Sequence, residues 1–423
     1  MFYDFFVKTS SFLLLIGKFI IFAHIITYQM KKNFSLLSVF LIFLVMGFGD
    51  AANQLVSIVQ TAFDITPFMA SFVSFFGMVM FGVLSIPTGV MQSRIGKKKM
   101  LLIGLVIFLL GAVLPTMFFN FPIVLASVMF MGAGATILQV SGNPMMQVVS
   151  QGNSYSSNLS FAQAVKAIGT MSTSALVAIV GTSLMKYAWF NPTNSGINMG
   201  FRILFPIFAI IIIITMIMTK VFVPADSREN LNPTTLSKCF KTLKNRYILM
   251  MFLAIFFYCG AEASMFNRIP SLLQNNAGIS ASIGNIVIVA ALFAGRMTGG
   301  IILRKIKPST FFIITLIISV IGNIMLFLPY NSITIWLAFI LIGIGFANIF
   351  PLVFSICISR YNDLADEISG LMTTAIVGAA FVPLLTGLAA TINNKYAFIV
   401  TLACLVYLSV VAGINKKTET KTA

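Results

Sequence analysis

The sequence predicts an all-α integral membrane protein in which twelve transmembrane helices form two pseudosymmetric bundles of six helices. Hydrophobic residues make up 59% of the 423 residues, whereas charged residues make up only 9%. Soluble domains carry about a quarter charged residues. Apolar runs of about twenty residues follow one another along nearly the whole chain, as membrane-spanning helices require. The runs are continuous rather than alternating, which excludes a transmembrane β-barrel.

Twelve apolar spans follow one another in order. We place them at residues 36–59, 68–91, 100–119, 122–148, 157–184, 200–223, 247–274, 281–303, 309–329, 333–358, 367–391 and 395–415. The basic residues that give the net charge of +17 are concentrated in short clusters that follow every second span, such as 97–99 and 304–307. Basic residues accumulate on the cytoplasmic side of membrane proteins, so both termini are predicted to be cytoplasmic.

The spans divide the chain into five segments. We predict a leader (1–33), a first bundle (34–223), a cytoplasmic linker (224–246), a second bundle (247–415) and a cytoplasmic tail (416–423). The basic loops SRIGKKK (93–99) and LRKIKPS (303–309) follow the second span of each bundle, which indicates a duplication. Such repeats place a substrate site near the membrane midplane between the halves.

Residues 1–29 are apolar but short, and Lys18 and His24 interrupt them. They have no small-residue cleavage site, which argues against a cleaved signal peptide. Met30 is followed by a basic pair and a full span, so we expect translation to start there. An interfacial helix and a thirteenth span are the alternatives.

The residues that metal, redox or nucleotide chemistry needs are sparse. The four cysteines lack metal or redox spacing, the chain has one histidine, and no phosphate-binding GxxxxGK[ST] motif is present. We therefore expect no cofactor, no metal, no enzymatic activity and no nucleic-acid partner.

Several motifs resemble one known family. They are GVMQSRIGKKK (89–99), TILQVSGNPMMQ (136–147), YCGAEAS (258–264), AGRMTGG (294–300), IFPLVFSICI (349–358) and SGLMTTAIVGAAFVP (369–383). Their order and spacing resemble the major facilitator superfamily, and within it the fucose/galactose/glucose:proton symporter family, most of all its glucose/galactose branch. The resemblance implies the major facilitator fold and a functional monomer in the inner (cytoplasmic) membrane. It also implies proton-coupled import of a small sugar by alternating access, with sugar, proton and lipid bilayer as partners.

The chain departs from the family pattern at informative positions. Ser93 stands where the loop of residues 89–99 usually has an aspartate, while Arg94 and Gly96 keep the loop's gating positions. Gln139 stands where the fucose branch has an acid, as in the glucose/galactose branch. Lys166 stands where the family has an asparagine. These departures leave the identity of the sugar open.

The first helix carries a polar stripe. Asp50 is followed by Asn53, Gln54 and Ser57 at helical spacing, so all four share one face. An acid buried in a membrane costs about 2.5–3.5 kcal/mol on insertion scales and is usually functional. We predict that Asp50 belongs to a proton-coupling network and that Asn53 and Gln54 line the cavity. A structural carboxylate bonded to a neighbouring helix is the alternative.

The fourth helix presents two amides on one face, Gln139 and Asn143. Amides both donate to and accept from sugar hydroxyls, which favours substrate contact. Amides also join membrane helices, which is the structural alternative. Pro144 frees a backbone carbonyl in the preceding turn, as suits a cavity or a hinge.

Away from the ends of the later spans, the clearest charged residues are Glu262, Lys166 and Arg296. Glu262 is either a coupling acid or the partner of a base such as Arg296, which we expect to act in gating or architecture. Lys166 lies roughly 10 Å along its helix, with Gln163 one turn earlier. It either extends to the interface or faces the cavity beside Gln163. In the cavity it could pair with an acid, titrate itself or bind an anionic sugar.

Two other classes of function compete with sugar import. A major facilitator antiporter that exports a drug or metabolite would share the fold. A membrane-embedded enzyme or sensor would need a cluster of reactive side chains or a signalling domain, and the sequence shows neither.

Overall fold

The computed structural model describes residues 31–49, 59, 63–118, 120–150, 154–183, 196–225, 233–277, 281–328 and 332–422. The predicted leader (1–33) therefore lies almost entirely outside the described residues, as do Asp50, Asn53, Gln54 and Ser57 of the first predicted span. The described segments are nearly all helical.

The first half contains six long helices. They are α1 (Lys31–Gly49), α2 (Pro67–Ile95), α3 (Lys97–Met117), α4 (Phe121–Val149), α5 (Tyr155–Ser183) and α6 (Gly196–Phe222). Side chains cap several of their N-termini: Thr66 accepts a hydrogen bond from the amide of Met69, and Asn120 accepts one from the amide of Ile123. Between α2 and α3 the chain turns at Gly96, whose φ of 90° is one that residues with a side chain rarely adopt.

The second half begins after a short linker helix, α7 (Leu236–Thr242). Its helices are α8 (Arg246–Ala277), α9 (Ala281–Ile302), α10 (Pro308–Met325), α11 (Ser332–Phe346), α12 (Ile349–Arg360), α13 (Ala365–Thr374), α14 (Gly378–Ile392) and α15 (Asn394–Thr422). The predicted tenth span is the broken pair α11 and α12, and the predicted eleventh span is the pair α13 and α14.

Each of the twelve predicted spans overlaps at least one described helix. Among the described residues, ten segments are long and apolar enough to cross a membrane. The other two predicted spans correspond to α5, which begins with the polar run YSSN, and to α9, whose apolar part is the shorter segment Val287–Ile302. Both helices lie between the halves, where polar residues have partners other than lipid.

The helix α6 shows how the bundle faces lipid. Its exposed residues recur at helical spacing at Ile210, Ile213, Ile214, Ile217 and Val221. The buried residues of the same helix, which include Phe205, Phe208 and Ile212, occupy the opposite face. Phe208 stacks on Phe48 of α1 with ring centroids 4.0 Å apart. An apolar face with no protein neighbour is what a helix in contact with acyl chains presents.

Prolines inside the helices create hydrogen-bond acceptors that other helices use. A proline at position i has no N–H for the carbonyl of residue i−4. Pro115 in this way frees the carbonyl of Gly111, and the buried Ser127 hydroxyl of α4 donates to it at 2.6 Å. This bond joins α3 to α4 within the first half. The same arrangement, a side-chain donor on a carbonyl four residues before a proline, recurs at the site described below.

The two halves meet along two main lines. The helix α2 packs against α13, and α5 packs against α9 and α12. Both lines approach the end of the molecule that carries the basic residues Lys97–Lys99, Lys238–Arg246 and Arg304–Lys307, which we name the basic end. Residues near these inter-half contacts and midway along the helices are therefore the candidates for a functional site.

Candidate functional site

Lys166 points into the bundle and contacts the fourth helix. Its ammonium nitrogen Nζ donates to Oε1 of Gln139 at 3.2 Å. Lys166 lies eleven residues after Tyr155, the first residue of α5, or roughly 16 Å along the axis. That depth exceeds the sequence-based value of roughly 10 Å. The alternative in which Lys166 extends to the interface does not fit this contact.

Glu262 forms a second polar cluster, in the other half. The hydroxyl of Tyr258, one turn earlier on α8, donates to Oε1 of Glu262 at 2.7 Å. The nitrogen Nη2 of Arg296 on α9 lies 3.7 Å from the same oxygen. The sequence-based alternative that paired Glu262 with Arg296 therefore matches the geometry. The side chains of Arg296 and Glu262 are 15% and 21% exposed, so both remain partly accessible although they lie midway along their helices.

Arg296 also reaches across to the first half. Its Nη1 donates to the backbone carbonyl of Gln163 on α5 at 3.2 Å. Its Nε donates to the carbonyl of Ala347 at 3.2 Å, at the break between α11 and α12. Pro351 lies four residues after Ala347 and cannot donate to that carbonyl, so the guanidinium takes the place of the missing N–H.

The two polar clusters face one another. Arg296 connects them, because it contacts Glu262 and also donates to the carbonyl of Gln163, one turn before Lys166 on α5. Lys166 belongs to the first half and Glu262 to the second, so the space between them lies on the pseudosymmetry interface. A transporter of two repeats carries its substrate at such a place.

Two predicted cavity amides keep unused hydrogen-bonding capacity. Asn143 is fully buried, and within the described part of the chain neither its amide nitrogen nor its amide oxygen has a partner. The side chain of Gln163 is also buried, and its Nε2 has no hydrogen-bond partner among the described residues. Buried polar groups without partners are rare and costly, and they are candidates for groups that a ligand or water would satisfy.

Pro144 also connects the halves. It frees the carbonyl of Val140, four residues earlier on α4, and the buried hydroxyl of Ser369 on α13 donates to that carbonyl. The carbonyl that the sequence marked as suited to a cavity or a hinge is thus held by the opposite half. Sequence reasoning missed Ser369, although a search for acceptors four residues before each proline would have pointed to Val140 and Ala347.

At the basic end, the loop of residues 89–99 contacts the start of α13. Asp366 Oδ1 accepts from Nε2 of Gln92 at 3.0 Å and pairs with Nζ of Lys97 at 3.3 Å. Arg94 is exposed, and Gly96 forms the turn between α2 and α3. The acid of this contact therefore comes from α13 of the opposite half, whereas the family's usual aspartate position holds Ser93.

Ser93 has a different partner, the linker between the halves. Its hydroxyl accepts a hydrogen bond from the amide of Thr234 at 2.9 Å. Five residues later the buried Cys239 anchors α7, and Lys238 pairs with Glu367 of α13 at 2.8 Å. We name residues Thr234–Cys239 the linker clasp, because this segment contacts α2 in one half and α13 in the other.

Further contacts close the basic end between α5 and the second half. The hydroxyls of Ser156 and Ser355 are 2.8 Å apart, and the Ser157 hydroxyl donates to the carbonyl of Gly300 at 2.6 Å. Arg304 lies over the ring of Phe161, 5.3 Å from its centroid. The halves are therefore in direct contact from Arg296 to this end, and the basic end is closed.

The site offers no metal centre among the described residues, which contain no cluster of three His, Cys, Asp or Glu side chains. All four cysteines are buried and free. What the arrangement provides is a group of amides, one lysine, one acid and one arginine at an interface between two halves. Such a set can bind hydroxyl-rich solutes and can gain or lose protons.

Curated relatives align over nearly the whole chain. A glucose/galactose transporter of Brucella abortus (strain 9-941) is 24% identical over 399 residues, which cover 92% of this chain and 96% of the relative. A putative glucose/galactose transporter of Helicobacter pylori (strain J99) is 27% identical over 398 residues, which cover 87% and 93%. The resemblance to the glucose/galactose branch is thereby confirmed.

Solved structures share the fold. A variant of the Escherichia coli fucose:proton symporter FucP superposes with a TM-score of 0.77 at 18% identity, over 91% of this chain and 99% of that one. The proton:xylose symporter XylE superposes with a TM-score of 0.72 at 13% identity, over 90% and 95%. The family model named Major Facilitator Superfamily matches residues 37–383. On this match the chain belongs to the major facilitator superfamily, and it is a transporter rather than an enzyme.

Proposed function

We propose that the chain is a secondary transporter that imports a small sugar together with a proton by alternating access. The observation that carries this proposal is the polar site between the halves, in which Arg296 joins Glu262 to α5, one turn before Lys166 and its partner Gln139. The names of the relatives, which are glucose/galactose transporters and sugar:proton symporters, support the same solute class.

In this proposal the amides Gln139, Asn143 and Gln163 bind the sugar hydroxyls. Glu262 and Lys166 belong to the coupling network, together with Asp50, which lies outside the described residues. Asn53 and Gln54, likewise outside them, stay predictions as cavity residues. Arg94 and Gly96 serve the gate at the basic end, and no cofactor takes part.

The closed basic end corresponds to a transporter open on the opposite side. We propose that the basic end faces the cytoplasm, with both termini on that side of the cytoplasmic membrane and the two bundles (34–223 and 247–415) joined by the linker 224–246. The distribution of basic residues supports this orientation. A structure of FucP named as outward in conformation superposes with a TM-score of 0.76. A monomer contains the whole proposed site.

The test is uptake by purified protein in liposomes. Radiolabelled glucose, galactose, an amino sugar, a deoxy sugar and an acidic sugar are offered with and without an inward proton gradient. We expect one neutral hexose to accumulate at least tenfold with the gradient, and Glu262→Gln to retain exchange but lose accumulation. Efflux driven by the opposite gradient, with no uptake, would instead identify an exporting antiporter.

A further inference from the structure

We propose that Arg296 is a positioning residue that transmits the protonation of Glu262 to the contact between the two halves. The inference rests on the proposed proton coupling and extends it by naming the group that connects the proton to the gate. One guanidinium contacts Glu262, the broken tenth span and α5 at the same time. Each of these contacts constrains the other two, because the planar group has a fixed fork geometry.

The contact to α5 joins the two halves. The Gln163 carbonyl belongs to the first half, whereas Glu262, Ala347 and Arg296 itself belong to the second. A movement that opens the basic end must separate α5 from α9, and it must therefore break the bond between Arg296 Nη1 and Gln163. A stronger bond therefore favours the closed state over the open state.

The contact to Glu262 holds the guanidinium in place. While Glu262 is ionised, its charge compensates the guanidinium in a site that is only 15–21% exposed. Removal of one partner from a buried ion pair destabilises a protein, because it leaves an uncompensated charge. Protonation of Glu262 removes that compensation, so the guanidinium gains by moving toward water and away from Gln163.

The remaining groups around Glu262 favour the same outcome. Within the described part of the chain these are Tyr258 and Cys259 on its own helix, Arg296 on α9 and Lys166 on α5. Tyr258 can keep its hydrogen bond to the neutral acid. Lys166, three residues after Gln163, places a second positive charge on the helix that the guanidinium contacts, and its repulsion grows once the carboxylate is neutral. A proton that enters from the open side would thus release the gate on the closed side.

The experiment measures closure directly and without sugar. Spin labels are attached to cysteines at Lys99 and Lys305, which are exposed residues of opposite halves at the basic end. The four native cysteines are replaced by alanine, and pulsed electron resonance gives the population at the short, closed distance. In the parent protein we expect that population to fall at least threefold from pH 8 to pH 5.

Two variants decide the proposal. Glu262→Gln imitates the protonated acid, and we expect it to show the small closed population at pH 8 already. Arg296→Gln removes the link, and we expect a small closed population that no longer changes with pH. Ser157→Ala is the matched control: it removes another inter-half hydrogen bond that does not involve Glu262. It should lower closure but keep the pH dependence.

Arg296→Lys is included in case the glutamine variant does not fold. Its single ammonium keeps a charge beside Glu262 but cannot reach both backbone carbonyls, so an intermediate closed population is expected. The proposal is overturned if Glu262→Gln matches the parent at pH 8, or if either Arg296 variant keeps the full pH response. Because these measurements contain no sugar, an uptake assay that finds no sugar transport would contradict the proposed function and leave this result intact.

Discussion

At the scale of single residues, Lys166, Glu262 and Arg296 each contact a residue of another helix within the bundle. Lys166 is bonded to Gln139, and Glu262 is held by Tyr258 and Arg296. The family resemblance places Lys166 at a position of an uncharged amide. Its bond to Gln139 means that a positive charge now occupies the region where sugar hydroxyls would bind. In the proposed function this charge belongs to the proton-coupling network, together with Glu262.

The role of this charge can be separated from the role of the hydrogen bond. Lys166→Gln keeps a donor for Gln139 but removes the charge. We expect sugar binding, measured as ligand-dependent thermal stabilisation, to change less than threefold, because the amide contact persists. Gradient-driven accumulation should fall at least tenfold. The control is Lys220→Gln, at an exposed lysine near the end of α6. Normal accumulation by Lys166→Gln would show that the charge is not needed.

Ser127 and Ser369 each donate to a backbone carbonyl that lacks its helical N–H partner because a proline lies four residues later. The effects of removing these two hydroxyls can be compared. Ser127→Ala and Ser369→Ala each remove one hydroxyl and leave one buried carbonyl, of Gly111 or Val140, without its donor. A buried acceptor left unpaired costs about 1–3 kcal/mol. Because Ser127 acts within one half, its loss should lower the melting temperature and leave the closed population unchanged.

Ser369 acts between the halves, so its loss should lower the closed population measured with the spin-label pair at Lys99 and Lys305. The melting temperature should change less than in Ser127→Ala, since the open state does not contain the lost bond. Equal effects of the two variants on closure would show that the carbonyl of Val140 is not part of the gate.

At the scale of helices and segments, the linker is a structural part of the gate. The linker clasp bonds to Ser93 on α2 and to Glu367 on α13, so it fits both halves only while they are together. Ser93 is informative here, because the usual aspartate would also accept from the Thr234 amide but would add a charge beside Asp366 and Glu367. A serine gives the hydrogen bond without that repulsion.

The reactivity of the Cys239 thiol shows whether the linker clasp is docked. Burial and the charge of Glu367 raise the pKa of its thiol to about 11, so at pH 7.5 nearly all of the docked thiol is protonated and inert. In a protein whose only cysteine is Cys239, Glu367→Gln should release the segment and increase the rate of maleimide labelling at least fivefold. Asp363→Asn, at an exposed acid just before α13, is the control. An unchanged rate would contradict a docked clasp.

At the scale of the whole molecule, the sequence alone predicted the architecture well. Long apolar spans, basic loops and a repeated loop motif depend on composition and periodicity, which need no knowledge of contacts. The relative depth of Lys166, the bond from Ser369 to Val140 and the three contacts of Arg296 could not be predicted. They depend on how two bundles of remote sequence meet, and a change of one helical turn would separate these partners.

Closure of the basic end also depends on close backbone contact, which yields a last prediction. A Cβ added at Gly89 on α2 would lie 2.8 Å from the carbonyl oxygen of Asp366 and 3.3 Å from Cα of Gly370. These are backbone atoms of the opposite half, so they cannot move aside while the end stays closed. Two turns earlier on the same helix, a Cβ at Gly82 would meet only a methyl group of Val377, at 3.9 Å.

Gly89→Ala should therefore stabilise the state that is open at the basic end, whereas Gly82→Ala should behave as the parent. With the spin-label pair at Lys99 and Lys305 we expect the closed population of Gly89→Ala to fall at least fivefold. Accumulation driven by the proton gradient should fall with it, because a transporter held open on one side cannot return its empty site. Because only the first substitution conflicts with closure, equal closed populations in the two variants would contradict a gate formed by α2 and α13.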